Sequence, residues 1–209
     1  MINQNTHLSK NVLLEMDSRK RVNLINSLTG FKSIGLVGTK NNEGTTNLAI
    51  FNSFVHLGAN PALLGFISRP DAHLRHTVSN ILETKYFTVN HINEEIYKQA
   101  HQTSARYPEE TSEFDASGLS REFKDGFYAP FVLESHIQIA LELREIVELK
   151  INNTSLVIGE ILGVYLNDTL WGDDGYLDIE KAGSLAGSGL DGYHKTLQLE
   201  RLSYAKPIL

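Results

Sequence analysis

The chain has 209 residues, 41% of them hydrophobic, and no linker-like tract divides it, so one well-buried domain is expected. A formal charge of −6, from 25 acidic against 19 basic residues, and no Lys/Arg run beyond the SRKR stretch ending at Arg21 argue against a nucleic-acid partner. Without cysteine there are no disulfides, thiolate metal sites or cysteine nucleophiles, and with no export signal or membrane-length apolar run a cytoplasmic protein with no membrane partner is expected.

Taken in chain order, Asp17 and Ser18 are good N-caps, and Val22, Leu24, Ile25 and Leu28 make an apolar face before Gly30, which predicts a helix over residues 18–29. Strands are predicted at Phe31 to Thr39 and Thr45 to Phe51, joined by a turn whose Asn and Gly residues tolerate positive φ. A loop or short strand reaches Asn60, and Pro61 introduces a third strand, ALLGFIS. From Asp71, a plausible cap, Leu74, Val78, Ile81 and Leu82 share one helical face.

Tyr86 to Ile92 alternates as a strand, and Asn93 is the expected cap of a helix with Glu94 and Glu95 in its first turn. The polar segment 103–130 predicts a long loop with a short helix around Ser120. Two apolar, alternating runs separated by NNTS predict a long hairpin from Phe131 to Asn167. The Gly-rich stretch near Gly183 to His194 is expected to be a flexible rim loop. It lacks the strand and helix of a dinucleotide fold and the Gly-Lys-Ser/Thr of a phosphate loop.

Several strands with short connections, and no regular strand-helix-strand alternation, predict a mainly β chain with an α+β periphery: an antiparallel barrel with a few short helices, closed so that no edge is exposed. An open antiparallel sheet is the alternative that periodicity leaves standing.

The stretch from Thr45 to Ile81 carries the functional signal. Its strand offers Thr45, Thr46, Asn47, Asn52 and Ser53 as hydroxyl and amide groups among apolar residues, and Arg69 precedes a helix start, where a guanidinium and free amides suit a phosphate. His73 and His76 lie three apart and form a weak metal pair, with His91 or His101 as a third ligand, but no carboxylate stands at ligand spacing, so no metal site is assigned. His56 and His136 sit in alternating apolar segments and are expected to be satisfied strand histidines.

Thr46, Asn47, Ala49, Phe51, Ser53, Asn60-Pro61, Leu64-Gly65-Phe66, His76-Thr77, Asn80 and Ile81, in that order, resemble the flavin reductase-like family of FMN-binding split β-barrels over roughly residues 30 to 165. The resemblance implies a closed antiparallel split β-barrel spanning 1–209 as one domain, with an N-terminal helix and a long 103–130 loop. It implies FMN (FAD is possible) held by Thr46, Asn47, Ala49, Phe51, Asn52 and Ser53, with Arg69, His76 and Thr77 near the phosphate. His101, Gln102, Ser104 and Tyr107 resemble a loop that closes over the flavin edge in one branch, and Tyr193 and His194 lie in a late loop that often approaches the flavin.

The implied activity is hydride transfer from NADH or NADPH to flavin by a homodimer. Stacked rings are enough for that chemistry, so no protein acid, base or nucleophile is assigned as catalytic. Trp171, Asp173 and Asp174 mark a loop suited to docking on a partner chain. A flavin-binding electron carrier without a nicotinamide site, and a heme- or metal-binding split barrel, are the rival readings.

Overall fold

The computed structural model describes residues 6–69, 76–108 and 110–207. The chain begins with two helices, α1 (Lys10–Glu15) and α2 (Ser18–Ser27), and then runs through β1 (Lys32–Ser33), β2 (Gly35–Lys40), β3 (Thr46–Phe51), β4 (Phe54–Ala59) and β5 (Ala62–Ser68). Helix α3 (His76–Thr84), β6 (Tyr86–His91), α4 (Tyr97–Gln102) and α5 (Glu113–Ser117) follow. After β7 (Arg121–Glu122) and β8 (Phe131–Val132) come the long hairpin of β9 (Ile137–Leu149) and β10 (Thr154–Leu166), and a final hairpin, β11 (Ala186–Ser188) and β12 (Gly192–His194).

Seven strands form one antiparallel sheet in the order β3-β2-β6-β9-β10-β5-β4. The sheet is not closed, which corrects the expectation of a closed barrel: β3 and β4 are its two edges, and no ladder joins them. The reason lies in the bend between them. At Ser53 the side-chain hydroxyl takes over strand pairing, accepting from Ile67 N and donating to Ile67 O at 3.1 Å each, so the chain leaves β3 and re-enters on the far side of the sheet. The outer edge of β3 is instead met by α5, where Glu113 Oε2 accepts from Leu48 N at 3.0 Å.

The core has two parts, and β2 belongs to both. Val37 packs with Phe66, Phe87, Leu141 and Val157 on one face of the sheet, while Leu36 packs with Leu48, Ile92, Phe114 and Val132 on the other. Adjacent strand residues point to opposite faces, so a strand buried on both sides loses the alternating pattern and reads as the continuous run GLVG. Phe51 continues the first cluster toward the surface, its ring centroid 4.5 Å from that of Phe66.

The predicted turn holds: Gly44 has φ +94°, and Asn41 Oδ1 accepts from Thr45 N at 2.8 Å. Other expectations shift. Residues 54–59 are a full strand. Asn93 Oδ1 accepts from Glu95 N in a local turn, and α4 starts later, at Tyr97. The short helix of the 103–130 segment is α5, ahead of Ser120, because Gly118, at φ +75°, ends it. The Gly-rich segment is a folded hairpin that pairs β11 with β1, not a flexible loop. The proposed Asp71 cap lies outside the described residues.

Helix α2 is capped by Asp17, whose carboxylate accepts from Lys20 N, but its apolar face is left largely uncovered by the described residues: it has no buried residue, and Leu28 is 68% exposed. Of the two expected satisfied strand histidines, His56 is on strand β4 with its side chain exposed, and His136 stands just before β9 with Nδ1 2.9 Å from Ala182 O. No helix among the described residues is long and apolar enough to cross a membrane.

Candidate functional site

A cleft of about 1060 Å³ lies along β3 and the bend that follows it. That is at the top of the range usual for small-molecule sites, ~300–1,000 Å³. Its floor is edge strand β3 with the bend that follows it, its walls are α2, α3 and the segment after α4, and the β11–β12 hairpin forms the remaining side.

Asn47, Ala49, Phe51, Asn52 and Ser53 all line this space, as do Arg69, His76, Thr77, His101 and Ser104. Most of the sequence-expected residues therefore converge, while Thr46, Gln102 and His194 stand outside the lining. Thr46 is 6% exposed, its hydroxyl 2.9 Å from Ser112 Oγ, so it ties β3 to the start of α5. Two of the lining side chains also have structural tasks: the Ser53 hydroxyl is engaged with Ile67, and Asn52 Nδ2 donates to Gly189 O at 3.2 Å.

One rim of the cleft is cationic. Lys32, which the sequence did not single out, lines it together with Arg69. Lys32 Nζ donates to Gly189 O at 2.7 Å and to Asn26 O at 3.2 Å, and Arg69 Nη2 donates to Asn26 Oδ1 at 3.2 Å. These partners are neutral oxygens. Burial and then the nearby Arg69 guanidinium hold the Lys32 ammonium below its usual pKa, as expected of two cations brought together.

A second polar group lies in the wall formed by α3 and α5. The Asn47 amide is 2.9 Å from Thr77 Oγ1 and 3.2 Å from Glu113 Oε2. Burial raises the pKa of Glu113; the Leu48 N–H bond and the charge of His76 oppose the rise. Glu113 also escaped sequence reasoning, since a carboxylate on a short loop helix gives no local sign that tertiary packing will bury it.

The opening is lined by aromatic and imidazole groups. His101 Nδ1 and Tyr193 Oη are 2.9 Å apart, and Gln102 Nε2 donates to Tyr107 Oη at 2.7 Å. Burial and the Asp191 carboxylate push the Tyr193 phenol up to about 12, so it is protonated near neutrality. His194, by contrast, turns to Ser188, with Nε2 2.7 Å from its Oγ.

The histidines weighed as metal ligands are separated by their partners: His91 Nδ1 is 2.8 Å from Ser184 Oγ, and His101 is bonded to Tyr193. His73 lies outside the described residues. Among the described residues no group of three or more His, Asp or Glu is arranged to hold a metal.

With this geometry in view, comparison with known proteins places the chain in a family. Residues 32–180 match the flavin reductase like domain, and the chain belongs to that family. It is similar, at 48% identity and TM-score 0.93, to a protein with a split barrel domain from Shewanella frigidimarina NCIMB 400, over 96% of this chain and 100% of that one. The fold alone is shared with Pseudomonas fluorescens 2-nitrobenzoate 2-nitroreductase NbaA (22% identity, TM-score 0.81, 97% and 98% of the two chains) and with nitrilotriacetate monooxygenase component B from Bacillus cereus (21%, 0.83, 96% and 100%). The architecture is therefore a mainly β split barrel with its seam open.

The residues present fit a phosphorylated flavin. The fit lies in the donor chemistry: two cations at one rim, bonded to neutral oxygens among the described residues, suit a phosphate, and a strand edge with an aromatic ring at Phe51 suits a flat ring.

Proposed function

We propose that the chain binds FMN in the β3–β4 cleft and works as an NADH- or NADPH-dependent flavin reductase. The observation that carries this is the pairing of Lys32 with Arg69 on the rim of a cleft floored by Asn47 to Ser53, in a chain of the flavin reductase like family. When bound, FMN supplies the hydride-accepting chemistry at its N5.

The protein's part is binding and orientation. Lys32 and Arg69 hold the phosphate, with Thr77 and His76 next to it on α3; Phe51, fixed by its contact with Phe66, gives the ring an apolar support. FAD fits the same donor set less economically, since its second phosphate needs further cations. The hydroxyl and imidazole groups of Ser104, Tyr107 and His101 border the space left for a nicotinamide.

Absorbance of the freshly purified protein, an FMN titration and anaerobic addition of NADH or NADPH test this reading. A colourless protein with no response to FMN would end it. FMN binding without reduction by either nicotinamide, but with rapid reduction by a protein donor, would make the chain an electron carrier.

The reading includes a homodimer. Its support is uncovered apolar surface at both ends of the chain: the α2 face, and Leu197, Leu199 and Leu202, which are 81–95% exposed in a segment without regular structure. Trp171, 58% exposed beside the Asp174–Arg201 ion pair, belongs to the same kind of surface. A monomeric mass by light scattering at micromolar concentration would remove this part.

A further inference from the structure

In the wall formed by Glu113, Asn47 and Thr77, the Asn47 amide sits between Thr77 Oγ1 and Glu113 Oε2, and which way round it is hydrogen-bonded depends on the proton of Glu113. With Glu113 ionised, the Asn47 amide meets the needs of both ends in one orientation: Nδ2 donates to Glu113 Oε2 at 3.2 Å, and Oδ1 accepts from Thr77 Oγ1 at 2.9 Å and from Leu48 N at 3.2 Å. The Thr77 hydrogen is then spent inside the wall. The reverse orientation lets Nδ2 donate to Thr77 Oγ1 at 2.9 Å, but places Oδ1 against Glu113, where two acceptors face each other unless the carboxyl carries a proton. With that proton present, the carboxyl donates to Oδ1, and the Thr77 hydroxyl, now an acceptor from Asn47, no longer gives its hydrogen to any acceptor among the described residues.

We infer that Glu113, Asn47 and Thr77 are a proton-coupled relay in the cleft wall: a proton on Glu113 turns the Asn47 amide over and frees the Thr77 hydroxyl to donate to an anionic oxygen of a bound ligand. Glu113 touches no ligand in this scheme and is a positioning residue. The proton comes from solvent and stays on Glu113, and no bond other than hydrogen bonds changes. Electrostatics favours the same coupling, because an anion in the cleft disfavours a second negative charge in its wall.

The surroundings leave the carboxyl free to play this part. Strand β3 carries no titratable side chain, and His76 on α3 is the charged group that acts on Glu113. On α4, His101 is bonded to Tyr193, Tyr97 stacks on Tyr193 and Lys98 lies over the Tyr97 ring. On α5 itself, Asp115 is paired with Arg121. Arg106 lines the same cleft. Burial raises the Glu113 pKa, opposed by the Leu48 N–H bond and His76.

The test is a pH titration of the ligand-free protein by NMR, following the Asn47 side-chain amide, assigned from its loss in Asn47→Asp, and the Glu113 carboxyl carbon. Between about pH 4 and 9 both are expected to move with one shared midpoint above the ~4.3 of an ordinary glutamate. Glu113→Gln is expected to hold the Asn47 amide signal flat. An amide that does not move, or moves with a midpoint different from that of Glu113, overturns the relay, and that comparison needs no variant. Added FMN is expected to raise the shared midpoint and riboflavin to leave it in place; equal shifts overturn the link to an anionic oxygen. A protein that binds neither flavin ends the flavin assignment, while the ligand-free titration still decides the relay.

Discussion

Lys32 and Arg69 share one rim of the cleft, and each donates to an oxygen of Asn26, the first to its backbone carbonyl and the second to its side chain. Arg69 directly follows β5 and Lys32 begins β1, so residues 37 apart in sequence meet at one rim of the cleft. Arg69→Ala is expected to weaken FMN by about ten- to a hundredfold, from the ~1.5–3 kcal/mol of a charge-assisted contact, and riboflavin much less. Lys32→Ala is expected to weaken both, because it also removes one of the two side-chain bonds, from Lys32 and Asn52, that hold the hairpin carbonyl of Gly189. Fluorescence titration with the two flavins checks this; equal losses for Arg69→Ala would remove it from the phosphate.

Glu113 makes stability fall with pH. Its pKa is raised in the folded protein, so the folded state holds the proton more tightly than the unfolded chain. The contribution is full below the unfolded value of ~4.3 and is lost as pH rises through the folded value. Urea unfolding at a series of pH values is expected to show this slope in the wild type and a flatter profile in Glu113→Gln. Parallel profiles would show that Glu113 is not the group responsible.

His91 works in the opposite direction. Burial lowers its pKa from 6.5 to about 4, so the unfolded chain binds the proton more readily and stability is lost as pH falls from about 6.5 toward 4. At about 1.36 kcal/mol per unit, the full effect is roughly 3 kcal/mol. Because the ring contacts Ser184 Oγ, His91→Gln keeps a polar partner there and should be less sensitive to acid than the wild type. An unchanged acid limb would assign that loss to other groups.

Gly159 has no room for a side chain. A Cβ there would stand 2.5 Å from Phe87 Cζ, whereas one at Gly163, four residues along the same strand, would meet nothing within 4 Å. Gly159→Ala is expected to cost about 1–3 kcal/mol through overpacking, and Gly163→Ala close to nothing. Chemical denaturation of both variants measures the difference, and matching midpoints would contradict the packing described here.

Much of this was legible in the chain. The strands Thr46–Phe51 and Ala62–Ser68, the Gly44 turn and the long hairpin follow from period-two patterns and turn chemistry, which act over a few residues. The order of small polar and apolar residues from Thr45 to Ile81 located the cleft floor and Arg69. Tertiary structure alone decided the open seam, since whether β3 pairs with β4 depends on how Ser53 engages Ile67 across the sheet. It also turned Thr46 away from the cleft and brought in Lys32, Glu113 and the β11–β12 hairpin, because cation proximity, burial of a carboxylate and pairing of Gly187 with Lys32 join residues far apart in sequence. Local sequence sets the hydrogen-bonding and rotational preferences of each segment; the charges and buried polar groups of a site depend on what the folded chain places beside them.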